Sequence, residues 1–238
     1  MKTPYGLRVI ENCMTCPLRR ERLFCDLPAT TLRQVDSMSS SATYPKGAVL
    51  FVEGQEPNGI FILCHGRVKL STSSASGKSV ILRFAEAGEV VGLPSTISGK
   101  PYELTAEAFE PIQANFIPRA AFLSFVREHG EVALRVAEML SDIYYSACRE
   151  VRYLGLSASA EEKLARFMLD ITTRSVELNG QVRTTLTLTH DEIAEMLGLS
   201  RETVTRIFAS FKRKKLVNMQ GSTLIITNKP GLSLLAGT

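Results

Sequence analysis

The hydrophobic positions of this 238-residue chain change their period several times. After an N-terminal arm, Met1–Leu27, the segment Pro28–Ser39 spaces Leu32, Val35 and Met38 three apart, as a short amphipathic helix does. From Ala42 the period falls to that of strands, in A-V-L-F-V, G-I-F-I-L-C, G-R-V-K-L, S-V-I-L-R-F and E-V-V-G-L. Gly47, Gly54, Gly66, Gly77 and Gly88 punctuate these runs. Short strands with turn residues at intervals of about 8–12 predict an antiparallel sandwich or barrel, closing near Ile117-Pro118.

Helical period returns over Ala120–Leu156, where Val136, Leu140, Ile143, Ala147, Val151 and Leu154 recur every three or four residues. A helix of more than six turns needs a cover for its stripe, and a second copy of itself is the simplest one. A parallel homodimer along residues 126–156 is therefore expected, the alternative being a helix packed along its own β-domain. After Gly155-Leu156, Ser159 and Glu162 have capping-box spacing and start a helix with Leu164, Phe167, Met168 and Ile171 facing inward. A polar loop, Ser175–Thr185, then leads to a short strand, Leu186–Leu188.

The densest pattern lies at Thr189–Phe211, T-H-D-E-I-A-E-M-L-G-L-S-R-E-T-V-T-R-I-F-A-S-F. Thr189 and Glu192 form a second capping box, and Gly198 suits the left-handed residue that ends a helix. Ser200 caps a second helix whose apolar residues are Val204, Ile207, Phe208 and Phe211. Two short helices joined by a glycine-containing turn describe a helix-turn-helix. The second helix turns Arg201, Glu202, Thr205 and Arg206 outward on its first two turns, where a helix in the major groove meets base edges. Arginine takes guanine O6 and N7 bidentately, and glutamate accepts from cytosine N4. The plainer reading is a solvated face with a Glu202–Arg206 pair worth a few tenths of a kcal/mol. The basic sequel Lys212-Arg213-Lys214-Lys215 favours a nucleic-acid partner. Past it, L-V-N-M, Q-G-S and T-L-I-I-T read as a hairpin turning at Gly221, the wing of a winged helix. Pro230–Thr238 reads as a loose tail or one last turn.

Composition narrows the class. With 45% hydrophobic and 22% charged residues the chain is neither disordered nor a membrane protein. Met1–Asn12 has no apolar leader core, and no run approaches the roughly 18 apolar residues of a membrane span. A cytoplasmic protein is expected. The net charge is only +4, yet Gly198–Gln220 holds six Lys or Arg against one acid, so the basic excess is concentrated where phosphates would lie.

G-L-S-R-E-T-V-T-R resembles the recognition segment of the CRP/FNR transcription regulators, in particular the catabolite-activator branch. The resemblance covers nearly the whole chain, including P-K-G-A-V-L-F at Pro45–Phe51 and F-I-L-C-H-G-R-V-K at Phe61–Lys69. It implies an α+β protein with four parts. These are an N-terminal arm (1–27), a cyclic-nucleotide-binding-like β-roll or jelly roll (28–125), a dimerisation helix (126–156) and a winged helix-turn-helix (157–238). It also implies a homodimer on double-stranded DNA with a palindromic TGTGA-like site, read by Arg201, Glu202 and Arg206. Ser200, Thr189, Lys212 and Lys214 complete the expected contacts, and Ser175–Thr185 is where contact with RNA polymerase is implied.

The family's cyclic-nucleotide pocket uses a Gly-Glu pair and, some ten residues on, Arg-Ser. Here Leu93 stands near the expected glutamate, and Tyr102–Glu103 near the expected Arg-Ser. Without that cation, and with Glu103 close by, a cyclic phosphate meets like charge, so cyclic AMP in the usual pose is not expected. Lys100 or Arg83 are the available compensating cations.

Five cysteines without a secretory leader are not a disulfide framework. Cys13, Cys16 and Cys25 are three candidate ligands for an Fe–S cluster or zinc. The resemblance to the FNR branch implies a [4Fe–4S] cluster, but the β-roll cysteine expected just before Ile117-Pro118 is replaced by Gln113, Ala114, Asn115 and Phe116. A fourth ligand has to come from Cys64, His65, Cys148 or a carboxylate such as Asp26. Two other readings stay open: a thiol switch helped by Arg19, Arg20 and Arg22, and reduced cysteines with no sensing role. Cys64 and Cys148, in apolar contexts, read as core residues. His65, His129 and His190 read as structural. A C-x-x-C redox enzyme lacks any βαβ context or catalytic constellation, and a sensor acting without DNA is disfavoured by the basic winged helix.

Overall fold

The computed structural model of the chain describes residues 5–7, 9–19, 24–74, 79–156, 159–172, 177–178 and 181–237, and within these the side chains of 149–156, 177–178 and 181 are left aside. The chain packs as two units, Met1–Cys148 and Arg149–Thr238.

In the first unit, helix α1 (Ala29–Met38) buries Leu32 and Val35 as its spacing predicts. Eight strands follow: β1 (Ser40–Tyr44), β2 (Val49–Phe51), β3 (Gly59–His65), β4 (Val68–Ser73), β5 (Ser79–Ala85), β6 (Val90–Val91), β7 (Thr105–Ala108) and β8 (Ile112–Pro118). A helix missed in the sequence, α2 (Leu93–Ser98), sits between β6 and β7. The strands form two antiparallel four-stranded sheets, β1-β8-β3-β6 and β2-β7-β4-β5, so the expected β-roll is present and closes at Pro118.

Strand β3 shows why its run reads as nearly all apolar. Phe61 and Leu63 face the space between the sheets with Phe51, Leu70, Tyr102 and Ala114. Ile60 and Ile62, on the opposite face, pack with Phe24, Leu27, Leu32, Ile117, Phe122 and Phe125. A strand covered on both sides loses the polar half of its alternation.

Helix α3 (Arg119–Glu128) and helix α4 (Gly130–Leu156) replace the single helical stretch expected from Ala120, because His129 is extended (φ −126°, ψ 103°). Helix α4 runs through Gly155 rather than breaking there. Burial along the expected dimer stripe is uneven. Val136 is 5% exposed and Leu140 packs beside it against the β-roll core with Phe125 and Val132. Ile143 lines a small cavity of the β-roll. Only Ala147 of the described stripe is exposed, and the side chains of Val151 and Leu154 lie outside the described residues. One face of the first three turns of the helix, Val132, Val136 and Leu140, therefore finds its cover in its own chain, and the large apolar groups left exposed on the described part of α4 are Leu134, Tyr144 and Tyr145.

In the second unit, helix α5 (Ala160–Ile171) starts at Ser159, whose side chain accepts from the Glu162 amide, as predicted. Strands β9 (Glu177–Leu178) and β10 (Gln181–Thr185) then occupy much of the stretch expected to be a polar loop; residues 175–176 and 179–180 lie outside the described residues. Leu186–Leu188 is not a strand. The β10 run was hidden because Arg183 and Thr185 point to solvent, while Val182 and Leu186 are buried and β12 supplies the pairing. Helices α6 (His190–Leu197) and α7 (Arg201–Arg213) are followed by β11 (Val217–Gln220) and β12 (Thr223–Ile226). The sheet order is β11-β12-β10-β9. The C-terminal stretch is a helix, α8 (Lys229–Ala236), rather than a tail. Asn228 caps it, Pro230 opens it and Leu232 and Ala236 are fully buried.

Candidate nucleic-acid interface and sensor sites

The reading head is built by local chemistry. Thr189 accepts from the Glu192 amide at 3.2 Å while Glu192 accepts from the Thr189 amide at 2.7 Å, so both halves of the capping box are made. Gly198 takes φ +64° and turns the chain, and the Ser200 hydroxyl accepts from the Thr203 amide to start α7. Val204, Ile207, Phe208 and Phe211 anchor α7 in a core shared with Ile193, Ala194, Leu164 and Leu224. Gly221, at φ +58°, makes the tight turn of the wing, where Gln220 pairs with Thr223.

With its apolar face fixed, α7 leaves Arg201, Glu202, Thr205, Arg206 and Lys212 exposed along one side. Arg201 Nε lies 3.7 Å from Asp191 Oδ2, with both side chains more than 60% exposed, so this pair does not bury the arginine. Lys214 is half exposed and meets Glu161 at 3.8 Å. A feature the sequence did not reveal ties the two helices together. His190 Nδ1 is 2.9 Å from Thr205 Oγ1, and the imidazole stacks on Phe208 at 5.0 Å. Thr205 thus helps hold the two helices at their angle as well as facing outward.

The nucleotide-pocket region holds only a small cavity, about 60 Å³, lined by Arg83, Glu103, Gly92, Pro94 and Ile143 among others. Leu93, near where the family's glutamate is expected, is 1% exposed in the core. Tyr102 stacks on Phe51 at 4.0 Å and donates its hydroxyl proton to the Gly59 carbonyl, 2.7 Å away. Glu103 accepts from the Ser95 hydroxyl, and Arg83 is ion-paired with Glu89. Arg83, the cation that lines this cavity, is therefore already paired.

The cysteines are gathered where the sequence could not place them. Cys13, Cys16, Cys25 and Cys64 all line one cavity of about 200 Å³, together with Asp36, Asn115 and Ile62. Gln113 pins the arm over the sheet: its side-chain amide donates to the Ile10 carbonyl and accepts from the Ile10 amide, both at 2.7 Å. Asp36 accepts from the Cys13 amide at 3.3 Å, and Asn115 Nδ2 approaches Cys13 Sγ at 3.8 Å. Cys64, expected as a core residue, is buried but turned to this cavity. Cys148 is exposed on α4, which corrects its assignment to a core.

Burial pushes the Cys13 thiol up to about 12, and the Asp36 carboxylate adds to the push. Cys64 is raised to about 12 as well, by burial first and then by Cys16 and Cys25. An activated thiolate at Cys13 is therefore not what this environment favours. Arg19 turns to the Met14 carbonyl at 3.4 Å, and Arg20 and Arg22 lie outside the described residues. Among the described residues, no three His, Cys, Asp or Glu side chains are drawn together as a single metal ion requires. Among the described residues no helix is long and apolar enough to cross a membrane.

A β-roll followed by a basic winged helix-turn-helix defines a DNA-binding regulator with an appended sensor-type domain. Two family models match this chain: a cyclic nucleotide-binding domain over residues 42–129 and a Crp-like helix-turn-helix domain over residues 162–235. The chain is similar to the fumarate and nitrate reduction regulatory protein of Vibrio cholerae, 26% identical over 228 residues, 95% of this chain and 90% of that one. It is also similar to the CRP-like cAMP-activated global transcriptional regulator of Mycobacterium tuberculosis, 22% identical over 217 residues, 91% and 96% of the two chains. The solved structure of FixK2 from Bradyrhizobium japonicum shares the fold, with a TM-score of 0.71 at 23% identity over 83% of this chain and 96% of that one. The chain belongs to the CRP/FNR family and is a DNA-binding transcription regulator of that type.

Proposed function

We propose that the regulator binds as a homodimer to a two-fold-related, TGTGA-like site, gated by a signal received at its cysteine cavity. The observation that carries this reading is the exposure of Arg201, Glu202, Thr205 and Arg206 on the first two turns of a helix locked from behind by four buried side chains. Rigid donors at a helix tip suit base edges, whereas Lys212 and Lys214 further along suit phosphates. Two such helices reach one face of B-DNA when about 34 Å separates them. Leu134, Tyr144 and Tyr145, exposed on α4, support a second copy as the partner of that helix. Contact with RNA polymerase and a cytoplasmic setting belong to the same reading, which assigns the chain no catalysis. The tied-down Tyr102 and the Glu103 carboxylate argue against cyclic AMP as the signal.

Selection of bound duplexes from a random pool tests this. An inverted repeat of a G·C-containing half-site, spaced by one helical turn, is expected. Recovery of an unrepeated site, or of no preferred sequence, contradicts it.

A further inference from the structure

Thr205 is exposed on the outward side of α7, yet its hydroxyl is already engaged. His190, the first residue of α6, sets Nδ1 2.9 Å from Thr205 Oγ1, and its ring stacks on Phe208 with 27° between the planes. The ring is held by parts of the fold that lie behind the exposed face. The Thr189–Glu192 capping box fixes the turn of α6 that carries it. Phe208, three residues after Thr205 on α7, is buried in the core with Ile193 and Val204. A ring gripped in this way gives the Thr205 hydroxyl a partner of fixed position before any DNA arrives.

A helical threonine commonly splits between two rotamers, because its hydroxyl can also fall back on a carbonyl of the preceding turn. The bond to His190 selects one of them. It also fixes what the hydroxyl can still do. A hydroxyl has one proton and two lone pairs, and each nitrogen of a neutral imidazole is either donor or acceptor. Where Nδ1 accepts, the proton of Thr205 is used up and its oxygen can only accept, as from adenine N6 or cytosine N4. Where Nδ1–H donates, that proton is free for guanine O6 or N7 or for thymine O4. A threonine without such a partner serves either kind of base edge. Displacement of water on docking strengthens the internal bond, and a hydroxyl oriented in advance loses little freedom when it meets its base.

We propose that His190 is a specificity-determining positioning residue: acting through Nδ1, it orients the Thr205 hydroxyl and restricts it to one hydrogen-bonding class of base edge. The inference deepens the base-reading role proposed for α7 and rests on it. His190 itself touches no base in this reading; it works through Thr205 alone.

The test assays the full chain by anisotropy at fixed salt on a selected duplex and on duplexes with each other base pair at each half-site position, both halves changed together. Thr205→Val keeps the branched shape and a similar helix propensity, and it identifies the position Thr205 reads as the one whose preference collapses. There His190→Phe, which keeps a ring for Phe208 and removes the nitrogen, should cut the preference by about five-fold or more, while the positions read by Arg201 and Arg206 move by less than about two-fold. His190→Asn, whose side-chain amide stands close to the place of Nδ1, should regain most of the preference. In a Thr205→Val background, His190→Phe should add nothing at that position. Circular dichroism and a thermal melt check that each variant folds. A loss spread evenly over all positions, or a further loss from His190→Phe on top of Thr205→Val, reduces His190 to a clamp between helices and overturns the proposal. So does a His190→Asn protein no better than His190→Phe. A Thr205→Val protein that keeps every preference overturns it while leaving Arg201 and Arg206 as readers, whereas an unaltered chain with no sequence preference sinks the base-reading role as well.

Discussion

Arg201→Ala separates a residue kept for recognition from one kept for stability. Arg201 is the first residue of α7, and a cation at a helix N-terminus is disfavoured by about 0.3–1 kcal/mol. Its partner Asp191, at 3.7 Å, offsets this with an exposed pair worth about 0–1 kcal/mol. The two terms nearly cancel, so the substitution should move the folding free energy by no more than about 0.5 kcal/mol. The DNA side is different. A bidentate arginine–guanine contact discriminates by about 1–3 kcal/mol, and a two-fold complex makes it twice. The expected loss on a selected site is therefore about 2–6 kcal/mol, or roughly 30-fold to 10⁴-fold in Kd. Fluorescence anisotropy at fixed salt, on the selected duplex and on a scrambled one, reads this directly, with a thermal melt alongside. Affinity for the scrambled duplex should fall much less, and the preference for G·C at one position per half-site should relax. Equal losses on both duplexes, or a fall in melting temperature that explains the loss, would refute the base-reading role.

Lys214→Ala should act on the other component of binding. Its exposed contact with Glu161 is weak, so affinity for all sequences should drop together and the salt slope should flatten by about one per copy in a salt titration. Thr189→Ala removes both the hydroxyl half of the capping box and its order at the start of α6. A loss of about 1 kcal/mol in a denaturant melt is expected, largely restored by Thr189→Ser. Cyclic AMP, added in calorimetry and in the anisotropy assay, should release no binding heat and leave DNA affinity unchanged, since Tyr102 and Glu103, near where the family's cation is expected, are held by Gly59 and Ser95.

The reading head was legible because everything that makes it lies within twenty-three consecutive residues, Thr189–Phe211. Caps, turn glycine and apolar spacing are local signals, and each is found where the pattern put it. The β-roll was legible as a class, but its short strands and α2 were not, because pairing between β1 and β8 or β3 and β8 spans many tens of residues. The stripe on α4 was legible only as a stripe, for a related reason. Periodicity reports that one face is covered without naming the cover, and Val136 and Leu140 turned out to face the β-roll core. Cys64 was the subtlest case. As one apolar-looking residue in a run of five it reads as core, and its place beside the arm follows only from which side of the sheet the arm covers. Asp36 and Asn115 carried no local signal at all. His190 gave a faint one, since an aromatic ring in the first turn of α6 can reach Phe208 only if the next helix crosses it.

The arm and the start of α4 share one core, which limits how a signal at the cavity can travel. Cys13 and Met14 pack against the cluster that contains Phe122, Phe125, Val132 and Val136, with Met139 and Leu140 on its edge. Gln113 and Asn115 fasten the same arm to β8, whose Ile117 lies in that cluster. A guest entering or leaving the cavity therefore alters one wall of the packing that supports α4, with no detour through the nucleotide-pocket region. Regulatory couplings are typically about 1–3 kcal/mol. A buried methylene is worth about 0.8 kcal/mol, so repacking one or two side chains at this wall is energetically sufficient. Close-packed cores respond to such changes by switching between discrete arrangements rather than by yielding gradually. Shortening Met139, which lies at the edge of the shared core and does not line the cavity, should thus weaken the effect of a guest in the cavity on DNA affinity while leaving the affinity of the empty form in place. If Met139→Ala leaves that coupling whole, the signal does not pass through this core.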